Sequence, residues 1–285
     1  WHIVRVCRKK RFKLIIGGSG LVAPALLLSR NLSGAKTLLF LHGLDLVVKN
    51  TVYQRAFIPC IRKVDQVIAN SQNTLQVAIA KGVPKEHITV VNPGTHLPDI
   101  NELEPRDRFL KRKNIGFSKV LIFVGRITRR KGLSGFIQNC LPTILESEPD
   151  TCLLVVGENP NQGLTNLGEG NDVAALVSKL KLGERVIFLG KVSEDDLKSC
   201  YAAAQAQVFP LIDVPGDVEG FGMVAIEAAA CGTPTVAFST GGVADAVSEE
   251  NGALIKPERY DLFAEAVIRI MRDGRPTPKQ CKKHA

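Results

Sequence analysis

The feature that most constrains this chain is a junction repeated along its whole length. Short, almost uncharged runs of β-branched and aliphatic residues end in small or polar residues and give way to helical patterns. In the first half Phe12–Ile16, Thr37–Leu41, Gln66–Ala69 and Ile88–Val91 read as strands, and they end at Gly17-Gly18, His42-Gly43, Asn70-Ser71 and Asn92-Pro93-Gly94. In the second half Val120–Val124, Cys152–Val156, Val186–Leu189, Ala206–Phe209 and Thr235–Phe238 repeat the theme, with Leu254-Ile255 closing the series. Between them Leu133–Glu146, Asp172–Leu180, Glu194–Ala203, Met223–Ala230 and Tyr260–Arg272 read as helices. Nearly continuous apolar strands that alternate with helices predict an α/β chain whose parallel sheets are covered on both faces. Ligands of such sheets sit beyond the carboxyl ends of the strands, so the residues that end the strands are where chemistry is expected.

A polar stretch containing Pro105, Asp99–Ser118, separates the two strand series. The expected organisation is a lobe over residues 1–100, a linker over 101–118, a second lobe over 119–272 and a basic tail over 273–285. Charge divides along the same line. The net charge is +9. Residues 1–117 hold 19 Lys/Arg against 7 Asp/Glu, and residues 118–285 hold 18 against 21. The basic residues cluster at Arg5, Arg8, Lys9, Lys10, Arg11 and Lys13, at Arg62-Lys63 and at Lys111-Arg112-Lys113. Each cluster alone reads as a solvated surface; together they suit an anionic membrane surface. Nucleic acid is not expected, because aromatic residues make up only 6% of the chain and none interleaves with the basic clusters to form a stacking platform.

Other classes are disfavoured. No run reaches the ~18 apolar residues of a spanning helix; Leu21–Leu28, interrupted by Pro24, reads as a buried helix. The seven cysteines form no CxxC and their number is odd, which suits reduced thiols in a cytoplasmic protein. The five histidines lack metal-site spacing, and no metal is expected. The start, Trp1-His2-Ile3, does not read as a signal peptide.

Three segments of the second half carry the chemistry. Val124–Gly132 follows a strand and precedes a helix, placing Gly125, Arg126 and Lys131 at a strand's carboxyl end. An anion there meets two cations and free backbone N–H groups. Charge-assisted hydrogen bonds of this kind contribute ~1.5–3 kcal/mol each, and a diphosphate fits better than a single carboxylate. Taken alone, the segment reads equally well as a basic loop capping a helix. Glu219-Gly220-Phe221-Gly222-Met223 opens a helix that reaches Glu227 about one turn in. The two glycines let a ligand approach the backbone, and the Phe221, Gly222 and Met223 N–H groups point toward it. Glu227 sits among Val224, Ala225, Ile226 and Ala228, so its carboxylate needs a partner; a vicinal diol supplies two hydroxyl donors. The third segment is Lys191-Val192-Ser193-Glu194. Ser193 reads as a helix N-cap, while the backbone at Lys191 and Val192 is suited to line a base-binding slot.

The order of these segments resembles the retaining GT-B glycosyltransferases that carry a Glu-x7-Glu motif, a bacterial group that builds lipopolysaccharide, exopolysaccharide and glycolipid heads. Gly125-Arg126 with Lys131-Gly132 resembles the family's diphosphate loop. Val156-Gly157-Glu158 resembles a loop that usually reads Gly-x-Gly-Pro and here reads Gly-Glu-Asn-Pro. Phe188-Leu189-Gly190, Ala229–Ala237, Gly241-Gly242 and, in the first half, His42-Gly43, Ala69-Asn70-Ser71 and Val91–Gly94 also fit. The resemblance implies two Rossmann-like lobes and transfer of a hexose from a nucleotide-diphosphate sugar to a glycan or lipid-linked acceptor, without a metal or other cofactor. It implies that Arg126 and Lys131 hold the diphosphate and Glu227 the ribose. Glu219 and the Phe221–Met223 backbone would hold the sugar, with His42 facing the reaction centre. The expected setting is the cytoplasm, from the cysteines, and peripheral at the inner membrane face, from the charge of the first half alone.

Where the family is expected to have about six strands in its first lobe, four are read here, and the chain is expected to be shortened at both ends. Two alternatives stay open: a donor-binding module without turnover, and a sugar-nucleotide epimerase on the same fold.

Overall fold

The computed structural model of the protein describes residues 2–9, 12–99, 103–159 and 169–285. Lys10 and Arg11 of the first basic cluster, the first two residues of the stretch read as a linker, and Pro160 of the Gly-Glu-Asn-Pro segment lie outside them. The chain divides into two compact units. The first is Trp1–Pro93 with Asp213–Phe221, and the second is Gly94–Ile212 with Gly222–Ala285. Glu219, Gly220 and Phe221 thus group with the first unit although they lie inside the span read as the second lobe.

The first unit holds β1 (Leu14–Gly17), β2 (Lys36–Leu41), β3 (Gln66–Ala69) and β4 (Ile88–Val90), all parallel and in the order β1-β2-β3-β4. Alternate residues of a strand point to opposite faces. One face, carrying Ile15, Leu39, Leu41 and Val67, packs into a core with Leu26, Leu46, Ile58 and Ile61. The other face differs from the expectation of helices on both sides. Leu14 and Ile16 on it are 48% and 56% exposed, and Phe40 of β2 is also exposed. The helix at Pro24 runs over Ala23–Ser33 and ends on Gly34, whose φ of 71° closes the last turn with a 2.8 Å bond to the Arg30 carbonyl. It is not buried all round, as Leu21–Leu28 was expected to be. Ala23 and Leu26 face the core, while Leu21, Leu28 and Leu32 are exposed.

The second unit holds β5 (Lys119–Val124), β6 (Thr151–Val156), β7 (Val186–Gly190), β8 (Ala206–Phe209), β9 (Thr235–Phe238) and β10 (Gly252–Ile255), parallel in the order β10-β9-β8-β5-β6-β7. Here both faces are covered. Leu121, Phe123, Leu153 and Val155 enter one core with Phe136, Phe238, Phe263 and Val267. Val120, Ile122, Cys152 and Leu154 enter another with Phe109, Cys200, Tyr201 and Ala228. The pattern expected as one helix over Leu133–Glu146 is two, Leu133–Asn139 and Leu141–Ser147, divided where Pro142 enters the second. The stretch read as a linker contains the helix Arg106–Arg112, with Phe109 and Leu110 buried. Strand order reverses between β5 and β8. The crevice beyond the carboxyl ends of those two strands is the switch point where open α/β sheets bind ligands.

Candidate functional site

The switch point is built by glycines that let three strand ends converge. The Gly125 N–H donates to the Val156 carbonyl at 2.9 Å, the Ile127 N–H to Glu158 at 3.0 Å, and the Gly157 N–H to Gly190 at 2.9 Å. Gly157 has φ 137°, and a Cβ there would stand 2.0 Å from the Gly125 carbonyl oxygen. Only a residue without a side chain permits that approach. After Arg126 the chain makes a short turn, Arg129–Lys131, and leaves it through Gly132 at φ 68°, where a Cβ would lie 1.9 Å from the Pro210 carbonyl oxygen. The Ile212 N–H donates to the Arg130 carbonyl at 3.0 Å, tying the turn to the segment that follows β8.

This turn separates the two cations by environment. Arg126 is exposed, whereas Lys131 is 8% exposed, with its Nζ 4.9 Å from the centre of the Phe209 ring at the end of β8. A desolvated ammonium over an aromatic face gains up to ~2 kcal/mol. Burial also strengthens its attraction for any anion that enters.

The helix Met223–Ala230 starts from Gly222, which is left-handed at φ 95°, and has no side-chain cap. A Cβ on Gly222 would lie 3.2 Å from the Phe209 ring, which fixes the helix start beside β8. Glu227 is half-buried one turn in. The Tyr201 hydroxyl donates to its Oε2 at 3.3 Å. Desolvation raises the Glu227 pKa above the ordinary glutamate value, Glu194 adds to the rise, and the Tyr201 bond offsets part of it. Glu227, Tyr201, Glu194, Lys198, His96 and Cys231 are among the residues lining a cavity of about 180 Å³. Lys198 is paired with Glu194 at 3.6 Å and Asp195 at 3.8 Å. Ser193 caps the helix Glu194–Ala203, accepting from the Asp196 N–H at 3.2 Å; before it, Lys191 is exposed and Val192 half-buried. A larger cavity, about 760 Å³, runs along the edge strand β10 past Ser248, Arg269 and Arg275. None of the candidate site residues lines it, and it lies at the sheet edge formed by β10 rather than at the switch point between β5 and β8.

The remaining candidates belong to the first unit. His42 follows β2 and is exposed; its Nε2 donates to the Gly18 carbonyl at 2.9 Å and its backbone N–H to Asp45 Oδ2 at 2.9 Å. The next residue, Gly43, has φ 87°. A Cβ on Gly220 would come 2.2 Å from the His42 carbonyl oxygen and 2.9 Å from Asn70 Nδ2. The structure therefore brings the Glu219-Gly220 stretch against the ends of β2 and β3, beside His42. Phe221 is buried.

Sequence reasoning named Asn70 as a strand end but gave no role to Tyr201 or Phe209, which touch Glu227 and Lys131. The signal available was indirect: a carboxylate in an apolar helix implied a donor, but nothing in the sequence named which. Among the described residues, no group of three His, Cys, Asp or Glu side chains is placed to hold a metal ion. No described helix is long and apolar enough to cross a membrane.

Comparison with known proteins agrees with this architecture. Residues 106–285 match the family Glycosyl transferases group 1, and residues 1–97 match Glycosyltransferase Family 4. D-inositol 3-phosphate glycosyltransferase from Mycobacterium sp. (strain KMS) is 32% identical over 225 residues, 77% of this chain and 48% of that protein. Its counterpart in Mycobacterium tuberculosis (strain F11) is 30% identical over 235 residues, 79% and 46% of the two chains. The chain thus spans about half the length of these curated relatives. Among solved structures, Anabaena HepE in complex with UDP and glucose superposes with a TM-score of 0.77 at 20% identity, covering 99% of this chain and 74% of that one. Sucrose-phosphate synthase from Thermosynechococcus elongatus gives 0.71 at 25% identity, covering 96% and 67%. Two parallel-sheet α/β units of this kind are the GT-B fold, and with the family match extending over more than half of its residues the chain belongs to the group-1 glycosyltransferases.

Proposed function

We propose that this protein transfers a hexose from a nucleotide-diphosphate sugar to a glycan or lipid-linked acceptor, with retention at the anomeric carbon. The observation that carries the reading is the buried ammonium of Lys131 at the switch point. Open α/β sheets bind ligands at such a switch point, and a lysine and an arginine placed there suit an anionic one. Lys131 and Arg126 hold the diphosphate in this reading, with Gly125 and Gly157 letting it approach the backbone. The free N–H groups at Gly222 and Met223 add to the positive end of their helix. Glu227 takes the ribose hydroxyls, and the backbone at Lys191 and Val192 lines the base slot. Glu219, Gly220, Phe221 and His42 serve the sugar side.

The reaction follows from that assignment. The acceptor oxygen bonds to the anomeric carbon as the bond from that carbon to the diphosphate oxygen breaks. The acceptor's proton passes to the departing phosphate. Negative charge grows on the diphosphate, and preorganised cations lower the barrier by meeting it where it develops. A solved relative supports a uridine donor: Anabaena HepE was crystallised with UDP and with UDP-glucose. The acceptor is proposed to lie at an anionic membrane surface, in keeping with the basic first half. A second reading, donor binding without turnover, draws on the open face of the first sheet.

The test is incubation with UDP-glucose, UDP-galactose and GDP-mannose against lipid-linked and free glycan acceptors, following nucleotide release and the anomeric configuration of the product by NMR. Transfer with the donor's configuration kept is the expected result. An inverted product overturns the stereochemistry, and nucleotide binding without transfer to any acceptor favours the second reading.

A further inference from the structure

The geometry points to Tyr201 as the positioning residue for Glu227, a hydroxyl that holds the carboxylate in the orientation in which it accepts a ribose diol. The inference rests on the proposed role of Glu227.

Tyr201 is 1% exposed, at the end of the helix Glu194–Ala203 and inside the core between that helix and the sheet. Its backbone is fixed as well as its ring, because the Thr233 hydroxyl donates to the Tyr201 carbonyl. A buried phenol needs a hydrogen-bond partner, and among the described residues Glu227 Oε2 supplies it. Among the described residues, the charged neighbour that acts on this carboxylate is Glu194, another acid. Lys198, on the same cavity wall, is engaged by Glu194 and Asp195.

A carboxylate has about four lone-pair sites and a phenol fills one. With the Tyr201 bond locking the plane of the group, Oε1 and the remaining site of Oε2 are left as acceptors for the cavity. Two adjacent acceptors in one plane match the two hydroxyls of a cis diol. A cation in place of the phenol would hold the carboxylate more tightly and compete with the ligand. A neutral donor orients it without satisfying it.

Calorimetric titration separates this from a packing role. The probes are UDP, GDP and ADP, and the 2′,3′-dideoxy form of whichever binds tightest, applied to the unaltered chain, Tyr201→Phe and Glu227→Ala. Phenylalanine keeps the ring and its packing. Tyr201→Phe is expected to weaken the ribonucleotide by roughly three- to tenfold, the range of one ordinary hydrogen bond lost at second hand through Glu227. It should leave binding of the dideoxy form unchanged, while Glu227→Ala removes the preference for ribose altogether. If Tyr201→Phe binds the ribonucleotide as the unaltered chain does while Glu227→Ala does not, the inference is wrong and the reading of Glu227 stands. Equal weakening of both nucleotides by Tyr201→Phe also overturns it, because that marks a structural role. Unchanged binding by Glu227→Ala, or no binding of any nucleotide, removes the reading of Glu227 and the inference together.

Discussion

At Glu227 the burial of the carboxylate works against the ionised form that the proposed ribose contact needs. Its carboxylate is held above its ordinary pKa by desolvation, so the fold favours the protonated form. The stabilisation linked to that protonation is present in acid and is lost as pH rises through the raised value. Glu227→Gln keeps the shape and removes the charge. It should therefore melt higher than the unaltered chain at neutral pH, with the difference shrinking toward acid, while binding nucleotide diphosphate more weakly. Scanning calorimetry across pH, paired with titration at pH 7, checks both halves; a variant that melts lower at neutral pH contradicts the burial argument. Nucleotide binding by the unaltered chain should likewise fall with acidification at a pH above that of an exposed glutamate, ~4.3. The glycines give a second test at this scale. Gly157→Ala places a Cβ 2.0 Å from the Gly125 carbonyl at a φ of 137°. It should cost about 1–3 kcal/mol in urea unfolding and lower nucleotide affinity by displacing the loop at Arg126. That Glu227 needed a partner was legible from its apolar helix. That the partner is Tyr201 was not, because the two are 26 positions apart and meet only through tertiary packing.

At the scale of elements, strands were legible where burial is complete. Val120–Val124 and Cys152–Val156 are apolar on both faces because both cores use them. Helix ends were legible where a cap marks them, as Ser193 does for Glu194–Ala203. Ser193→Ala should cost about 0.5–2 kcal/mol and also weaken nucleotide binding, since this helix carries Tyr201; chemical unfolding and titration of one variant report the two effects. Arg106–Arg112 was read as linker because four of its seven residues are basic and one is acidic. Its helicity depends on two buried residues, Phe109 and Leu110, and on Arg112 and Lys113 meeting Asp196 at 2.7 and 2.8 Å. Those partners lie more than eighty positions away, so local pattern does not contain them.

At the scale of the whole molecule, the two sheets differ in how they are finished. The second is covered on both faces; the first presents Leu14 and Ile16 on an edge strand and Phe40 beside them. Apolar patches and unpaired strand edges promote association. Sedimentation velocity should show concentration-dependent self-association that Ile16→Lys reduces, without altering nucleotide affinity. Division into two strand series was legible from the polar stretch and the change in charge. The grouping of Asp213–Phe221 with the first unit was not, because it depends on Gly220 lying against the His42 carbonyl, far away in the chain.

The central claim is that the switch point of the second sheet binds a nucleoside diphosphate through Lys131 and Glu227. Its most direct test is calorimetric titration of the chain with UDP, GDP and ADP beside Lys131→Ala and Glu227→Ala. The account predicts that one nucleotide binds and that each substitution weakens it about tenfold or more, ~1.4 kcal/mol or above. A folded chain that binds none of the three, or binds one equally well with either side chain removed, contradicts it.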